Sequence, residues 1–180
     1  MKEIIKERLA ACKLELNENK TSIVYCKDSF RKGNHEHYKF DFLGYTFRPR
    51  HAKSKQGKRF VSFLPAISTK ASKRIGEIMR SWWRTSRTDK SLNELAQMIN
   101  PYLQGWINYY GKFYKTGLYK LLFRLNLRFT IWVTRKFKRF KCHMRRAKYW
   151  LGEICKSNPN LFAHWRFGIK LPQAKLRATG

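Results

Sequence analysis

The side chains that could do chemistry in this sequence are mostly cations, and their chemistry is the capture of anions. Lysine and arginine number 40 against 11 aspartates and glutamates, a formal net charge of +29. No acidic residue lies between Glu94 and Glu153. A solvated helix face ordinarily mixes signs, because like charges at helical spacing repel and opposite pairs stabilise. Cations without internal partners imply an external polyanion, and nucleic acid is the first candidate. Arginine's planar fork of donors engages two phosphate oxygens at once, whereas lysine offers a compact point charge. The residues expected to make such contacts are Lys73, Arg74, Arg80, Arg84, Lys112, Lys120, Arg124, Arg128, Arg135, Lys138, Arg139, Arg145 and Arg146.

Bond-making chemistry lacks its usual equipment. A two-metal nucleotidyl-transfer site needs clustered acids to hold cations about 4 Å apart. The aspartates are Asp28, Asp41 and Asp89, and none neighbours another. No GxxxxGK[ST] phosphate loop, HExxH pair or nucleophile elbow occurs. The expectation is therefore no catalytic residue, no metal site and no cofactor within this chain. Cys12, Cys26, Cys142 and Cys155 are dispersed without a CxxC, the pattern of reduced thiols. A zinc set from Cys142, His143, Cys155 and His164 matches no common ligand spacing. His35 and His37 read as solvated loop histidines. No apolar run approaches the ~20 residues of a membrane span. The N-terminus, MKEIIKERLA, carries acids and no signal-type apolar region. The reading is a soluble, cytoplasmic protein with no membrane partner.

Hydrophobic residues at 43% and aromatics at 16% are enough to build a core. The periodicity predicts a helix over 2–13, with Ile4, Ile5, Leu9 and Cys12 on one side. LELNENKTSIVYC predicts strand, turn, strand, and 29–39 a polar loop. FDFLGYTFRPR, residues 40–50, reads as a strand with a bulge or close backbone approach at Gly44. A basic turn and the return strand 59–65 complete a hairpin over 40–64. From Ser68 the period becomes helical. Ile75, Ile78, Met79, Trp82 and Trp83 form one face, with lysines and arginines around it.

Ser91 and Glu94 form a capping box for a helix through Ile99, and Asn100-Pro101 caps and restarts the next. That helix carries GWINYYGKF. Gly105 is expected to admit a neighbouring element, and most of Trp106, Tyr109, Tyr110 and Phe113 to lie in the core. Leu118, Leu121, Leu122, Leu125, Phe129, Trp132 and Val133 make one apolar stripe, while Lys120, Arg124, Arg128 and Arg135 fall together beside it. A basic link, a helix near 147–155, docking residues Leu161, Phe162 and Trp165, and a loose tail IKLPQAKLRATG follow. The fold class is α+β: a β-containing piece, 1–66, then an all-helical basic piece, 67–180.

FLGYTF at 42–47, GWINYY at 105–110 and LFAHWRFG at 161–168, with basic helices around them, carry a family likeness. The chain resembles the C-terminal part of bacterial group II intron-encoded reverse transcriptases, the intron maturases. The resemblance covers nearly the whole chain. It implies that 1–66 is the end of a reverse-transcriptase palm and 67–180 the thumb or maturase-specific domain. By the same resemblance Phe42, Leu43, Gly44 and Tyr45 correspond to the primer grip. Lys20 falls in the block whose lysine approaches the incoming nucleotide's phosphates. The helices would grip structured intron RNA or an RNA/DNA duplex.

Family members carry YADD-like catalytic aspartates upstream of the block matched by Leu14 to Lys20, and this sequence begins after that point. The expectation is a fragment without fingers or most of the palm, and without a zinc-nuclease domain at its end. Mg²⁺ belongs only to the complete reverse transcriptase. Three functions follow: an RNA-binding maturase/thumb fragment assisting splicing and mobility without its own polymerase centre; the C-terminal half of a split RNA-directed DNA polymerase, active with a separate fingers/palm polypeptide; or a general basic nucleic-acid-binding protein.

Overall fold

The computed structural model describes residues 2–83 and 87–171. Helix α1 (Lys2–Ala11) is followed by strands β1 (Phe40–Phe42), β2 (Tyr45–Lys53) and β3 (Arg59–Ile67). Helices α2 (Thr69–Ser81), α3 (Leu92–Tyr110), α4 (Lys115–Lys136), α5 (Met144–Ser157) and α6 (Ala163–Arg166) complete the order. The strands form one antiparallel sheet in the order β1-β2-β3, so the architecture is α+β. By internal contacts the chain divides into two compact units, Met1–Phe42 with Phe47–Leu64, and Leu43–Thr46 with Pro65–Gly180.

In the first unit no described side chain is fully buried. Phe40 stacks on Phe47 with ring centroids 4.8 Å apart. The β2–β3 turn closes through Ser54, whose N–H donates to the Lys58 carbonyl at 2.9 Å. Strands expected over 14–26 do not form. Asn17 instead caps a 3-10 turn, Glu18–Lys20, by accepting the Lys20 N–H. Leu14 and Ile23 stay exposed. Strand propensity expresses fit to a half-buried pleated surface, and nothing in this unit covers that face.

Gly44 is not a bulge. Leu43 and Gly44, with φ of 46° and 80°, form the two-residue turn between β1 and β2. Positive φ at both central positions matches the turn twist to the strand twist. The predicted single strand 40–50 is therefore two strands of a second hairpin.

The core belongs to the second unit. Ser68 caps α2 by accepting the Ala71 N–H at 3.1 Å, and donates its own N–H to the Gly44 carbonyl at 2.8 Å. The predicted capping box opens α3: Ser91 Oγ accepts the Glu94 N–H at 3.2 Å, and Glu94 Oε2 accepts the Ser91 N–H at 2.7 Å. Leu95, Ile99 and Leu103 from α3 meet the predicted α4 stripe, every member of which is buried. Ala147, Leu151 and Cys155 of α5 close the other side, with Phe162 and Trp165 fully enclosed.

Three expectations fail here. Asn100-Pro101 does not restart a helix: α3 runs through it, and the Asn100 amide binds elsewhere, donating to the Leu161 carbonyl at 2.9 Å and accepting the Ala163 N–H at 3.0 Å. Gly105 admits no neighbour among the described residues, none of which comes within 4 Å of where a side chain would begin. None of Trp106, Tyr109, Tyr110 and Phe113 is fully buried, and Tyr109 and Phe113 are exposed. Helix α5 also starts three residues before the predicted 147, taking the end of the basic link into its first turn. Of the predicted loose tail, residues 172–180 lie outside the described residues.

Candidate nucleic-acid interface

Burial of the apolar stripe fixes the rotation of α4 and thereby aims its cations. Lys120, Arg124 and Arg128 are four residues apart, and Arg135 follows seven on. At 3.6 residues per turn they share one side of the helix. All four are exposed, and among the described residues none is ion-paired. An unpaired cation in water keeps its charge free for an incoming anion.

The elements that pack on α4 add to the set: α2, α5 and the 3-10 turn Lys138–Phe140 all contact it. Lys73, Arg74 and Arg80 of α2 are exposed, and Arg80 has only a 3.9 Å approach to Glu77. Such an exposed pair contributes ~0–1 kcal/mol and yields readily to phosphate. Lys112, Lys138 and Arg146 are exposed as well. Arg139 stacks 4.7 Å from the Phe140 ring centre and 5.6 Å from that of Trp150. Arg145 lies 5.6 Å over Tyr149, its Nε donating to the phenol oxygen at 3.4 Å. Rings that hold a guanidinium flat restrict its rotamers before any ligand arrives. Arg84 lies outside the described residues.

Not every cation faces outward. Lys136 Nζ donates to the Thr88 and Lys90 carbonyls, both at 2.7 Å, and sits over Trp132. Arg87 Nε donates to the Trp82 carbonyl, while its own carbonyl accepts the Trp132 indole N–H at 2.8 Å. These two hold the segment between α2 and α3 against the end of α4. The Lys136 bonds and the bond between Trp132 and the Arg87 carbonyl join residues more than forty apart and have no local signature.

The Phe42–Tyr45 segment divides by residue. Phe42 and Leu43 are exposed. Tyr45 is buried among Tyr109, Tyr110 and Phe113, its hydroxyl donating to the Tyr109 carbonyl. Tyr109 in turn donates to the Leu43 carbonyl at 2.7 Å. At Gly44 a Cβ would stand 2.7 Å from the Tyr110 oxygen. Burial raises the Tyr45 and Tyr110 phenols above their ordinary pKa, so both stay neutral donors. The turn is thus fastened to the end of α3. Lys20 lies in the first unit with its side chain exposed.

A buried polar cluster has little signature in the sequence. Asn126 interrupts the α4 stripe and is itself buried. Its Oδ1 lies 2.8 Å from His164 Nε2 and 3.1 Å from the donating Trp165 Nε1, and its Nδ2 donates to the Ile169 carbonyl at 3.2 Å. Because an amide oxygen only accepts, the His164 proton sits on Nε2. The hint available was a lone Asn in an apolar stripe and a His between Phe162 and Trp165. Among the described residues no group of His, Cys, Asp and Glu could hold a metal ion, and no helix is long and apolar enough to cross a membrane.

Residues 72–150 match the family model for the group II intron, maturase-specific domain. The match runs from α2 into α5 and contains every cation predicted above to contact phosphate, whereas Lys20 and the Phe42–Tyr45 turn lie outside it. No curated protein and no solved structure matches the chain.

Proposed function

Proceeding from a group II intron maturase-specific domain at residues 72–150, we propose that this protein binds structured group II intron RNA in the cytoplasm and assists its splicing and mobility, with no polymerase centre of its own. The observation that carries this reading is the acid-free, exposed cationic side of α4, flanked by the cations of α2 and α5. Folded RNA is recognised through shape, phosphate and 2′-hydroxyl contacts more than through base edges. A rigid helical surface bearing arginines suits that target.

The test separates the two sides of α4. Arg124, Arg128 and Arg135 changed together to Gln should leave the thermal melt almost unmoved, since exposed substitutions usually cost within ~0.5 kcal/mol each. Binding to a folded group II intron should weaken strongly and its salt slope should become shallower. Phe129→Ala should instead cost about 3–5 kcal/mol through the cavity it leaves, and lose binding only with the fold. An unrelated structured RNA of equal length serves as competitor. Equal affinity for both RNAs would return the protein to the general basic class. Primer extension by the purified chain would overturn the claim that it lacks a polymerase centre.

A second reading has its own support. The first unit buries no described side chain fully, and leaves Ile4, Ile5, Leu14, Ile23 and Phe30 exposed. Apolar surface in that amount suits a covering polypeptide. In that reading the chain is the C-terminal half of a split RNA-directed DNA polymerase, with the Phe42–Tyr45 turn at the primer end and Lys20 toward nucleotide phosphates. A co-expressed fingers/palm chain that confers Mg²⁺-dependent extension on the mixture would establish it.

A further inference from the structure

Beside the cationic side of α4 lies a groove of about 470 Å³, bounded by α4, α5 and Lys170–Leu171. Phe123 and Leu127 of α4 face it with Met144 and Tyr149 of α5. Phe123 and Leu127 are each 54% exposed and Met144 40%. Single exposed apolar side chains are ordinary on any surface. Three of them around one recess, beside the half-buried Tyr149 and in the most basic part of the chain, are a different matter. Arg145, Lys148 and Lys170 also line the groove, and among the described residues no carboxylate does.

We propose that this groove takes one unpaired nucleotide of the bound RNA, a reading that rests on the RNA-binding function above. The base packs against Phe123, Leu127, Met144 and Tyr149, and the adjoining phosphate meets Arg145, Lys148 and Lys170. An apolar peptide or acyl chain would use the walls and leave the cations without partners. A duplex would use the cations and leave the walls wet. A nucleotide outside its helix has a flat apolar face joined to an anion, and uses both. Single-stranded nucleic acid is held in this way, by stacking on side-chain rings with cations along the backbone.

The volume falls within the ~300–1,000 Å³ of sites that take small organic ligands. The path to the groove is also present. Phe123 and Leu127 directly precede Arg124 and Arg128 in α4. A strand whose phosphates cross those arginines passes the lip of the groove. At the far wall Arg145 is already held over Tyr149, with its Nε on the phenol oxygen.

The experiment uses the 180-residue protein and two RNA hairpins, one fully paired and one with a single bulged 2-aminopurine. The bulged hairpin should bind about 5- to 150-fold tighter, the range that stacking one base on a side-chain ring supplies. Its 2-aminopurine fluorescence should change on binding. Phe123→Ala with Leu127→Ala should abolish the preference and the fluorescence change while affinity for the paired hairpin and its salt slope stay the same. Arg124→Gln with Arg128→Gln should weaken both hairpins alike and keep the preference. Equal binding of the two hairpins by the wild type, with no fluorescence change, overturns the groove assignment while leaving RNA binding intact. A preference that survives the Phe123/Leu127 double variant also overturns it, because the bulged base is then held elsewhere on the protein. Failure to bind either hairpin removes the RNA-binding reading itself, and the groove with it.

Discussion

Asn126 spends its whole amide on holding α4 to the segment after α5: the oxygen accepts from His164 and Trp165, and the nitrogen donates to Ile169. His164 is fully enclosed, and its Nδ1 has no partner among the described residues. Burial pushes its pKa down to about 3, because enclosure in the core strips the imidazolium of solvation. In the unfolded chain the same ring titrates near ~6.5. Between those values the unfolded state binds a proton that the folded state refuses, so stability rises with pH. The contribution is complete above ~6.5 and is lost progressively as pH falls toward about 3, at up to ~1.4 kcal/mol per pH unit. His164→Gln removes the titration and keeps a donor for Asn126. Denaturant melts between pH 4 and 7 should show the slope of wild type reduced by one proton in the variant. Exposed carboxylates such as Glu94 titrate in both proteins and cancel in the comparison. Parallel pH profiles would mean the ring is protonated, or solvated, in the folded state.

At the scale of elements, what the sequence made legible was what burial alone dictates. The α4 stripe, the docking of Phe162 and Trp165, and the Ser91–Glu94 box rest on periodicity or a four-residue spacing, and each forms as read. The cationic side of α4 was legible for the same reason: once the stripe is buried, the remaining residues have nowhere else to point. What stayed hidden depends on distant partners. Lys136 looks like any other lysine of the strip until Thr88 and Lys90 come beside it. Asn100-Pro101 has the local form of a helix start, yet the Asn100 amide is taken by Leu161 and Ala163, and packing carries α3 through the proline. That override has a cost. An interior proline gives up the bond to the carbonyl four residues back and crowds it, about 3 kcal/mol. Replacing it restores freedom to the unfolded chain, which costs only about 0.4–1 kcal/mol. Pro101 is exposed, so little packing is lost. Pro101→Ala should therefore stabilise the protein by about 1–3 kcal/mol and raise its melting temperature. A lower melting temperature would show that the ring serves a contact and that α3 is not strained there.

For the molecule as a whole, a charge of +29 on 180 residues sets two opposite responses to salt. The free protein repels itself, since few of its cations have carboxylates within reach, and those exposed pairs add little. Raising ionic strength shortens the Debye length from about 30 Å at 0.01 M to about 10 Å at 0.1 M, which relaxes that repulsion. The unliganded protein should melt at a higher temperature as salt rises across this range. Binding to intron RNA should move the other way. Each phosphate neutralised by a lysine or arginine releases condensed counterions, so affinity falls linearly on a log–log plot against salt. About six to ten contacts imply a loss of about 10³–10⁵ in affinity between 50 and 200 mM. Melts and titrations on one preparation, through one salt series, give both slopes. Opposite signs are the expected result. A nearly flat binding curve beside a rising melt would leave the cations uncompensated in the complex, and they would then face a protein partner instead of RNA phosphates.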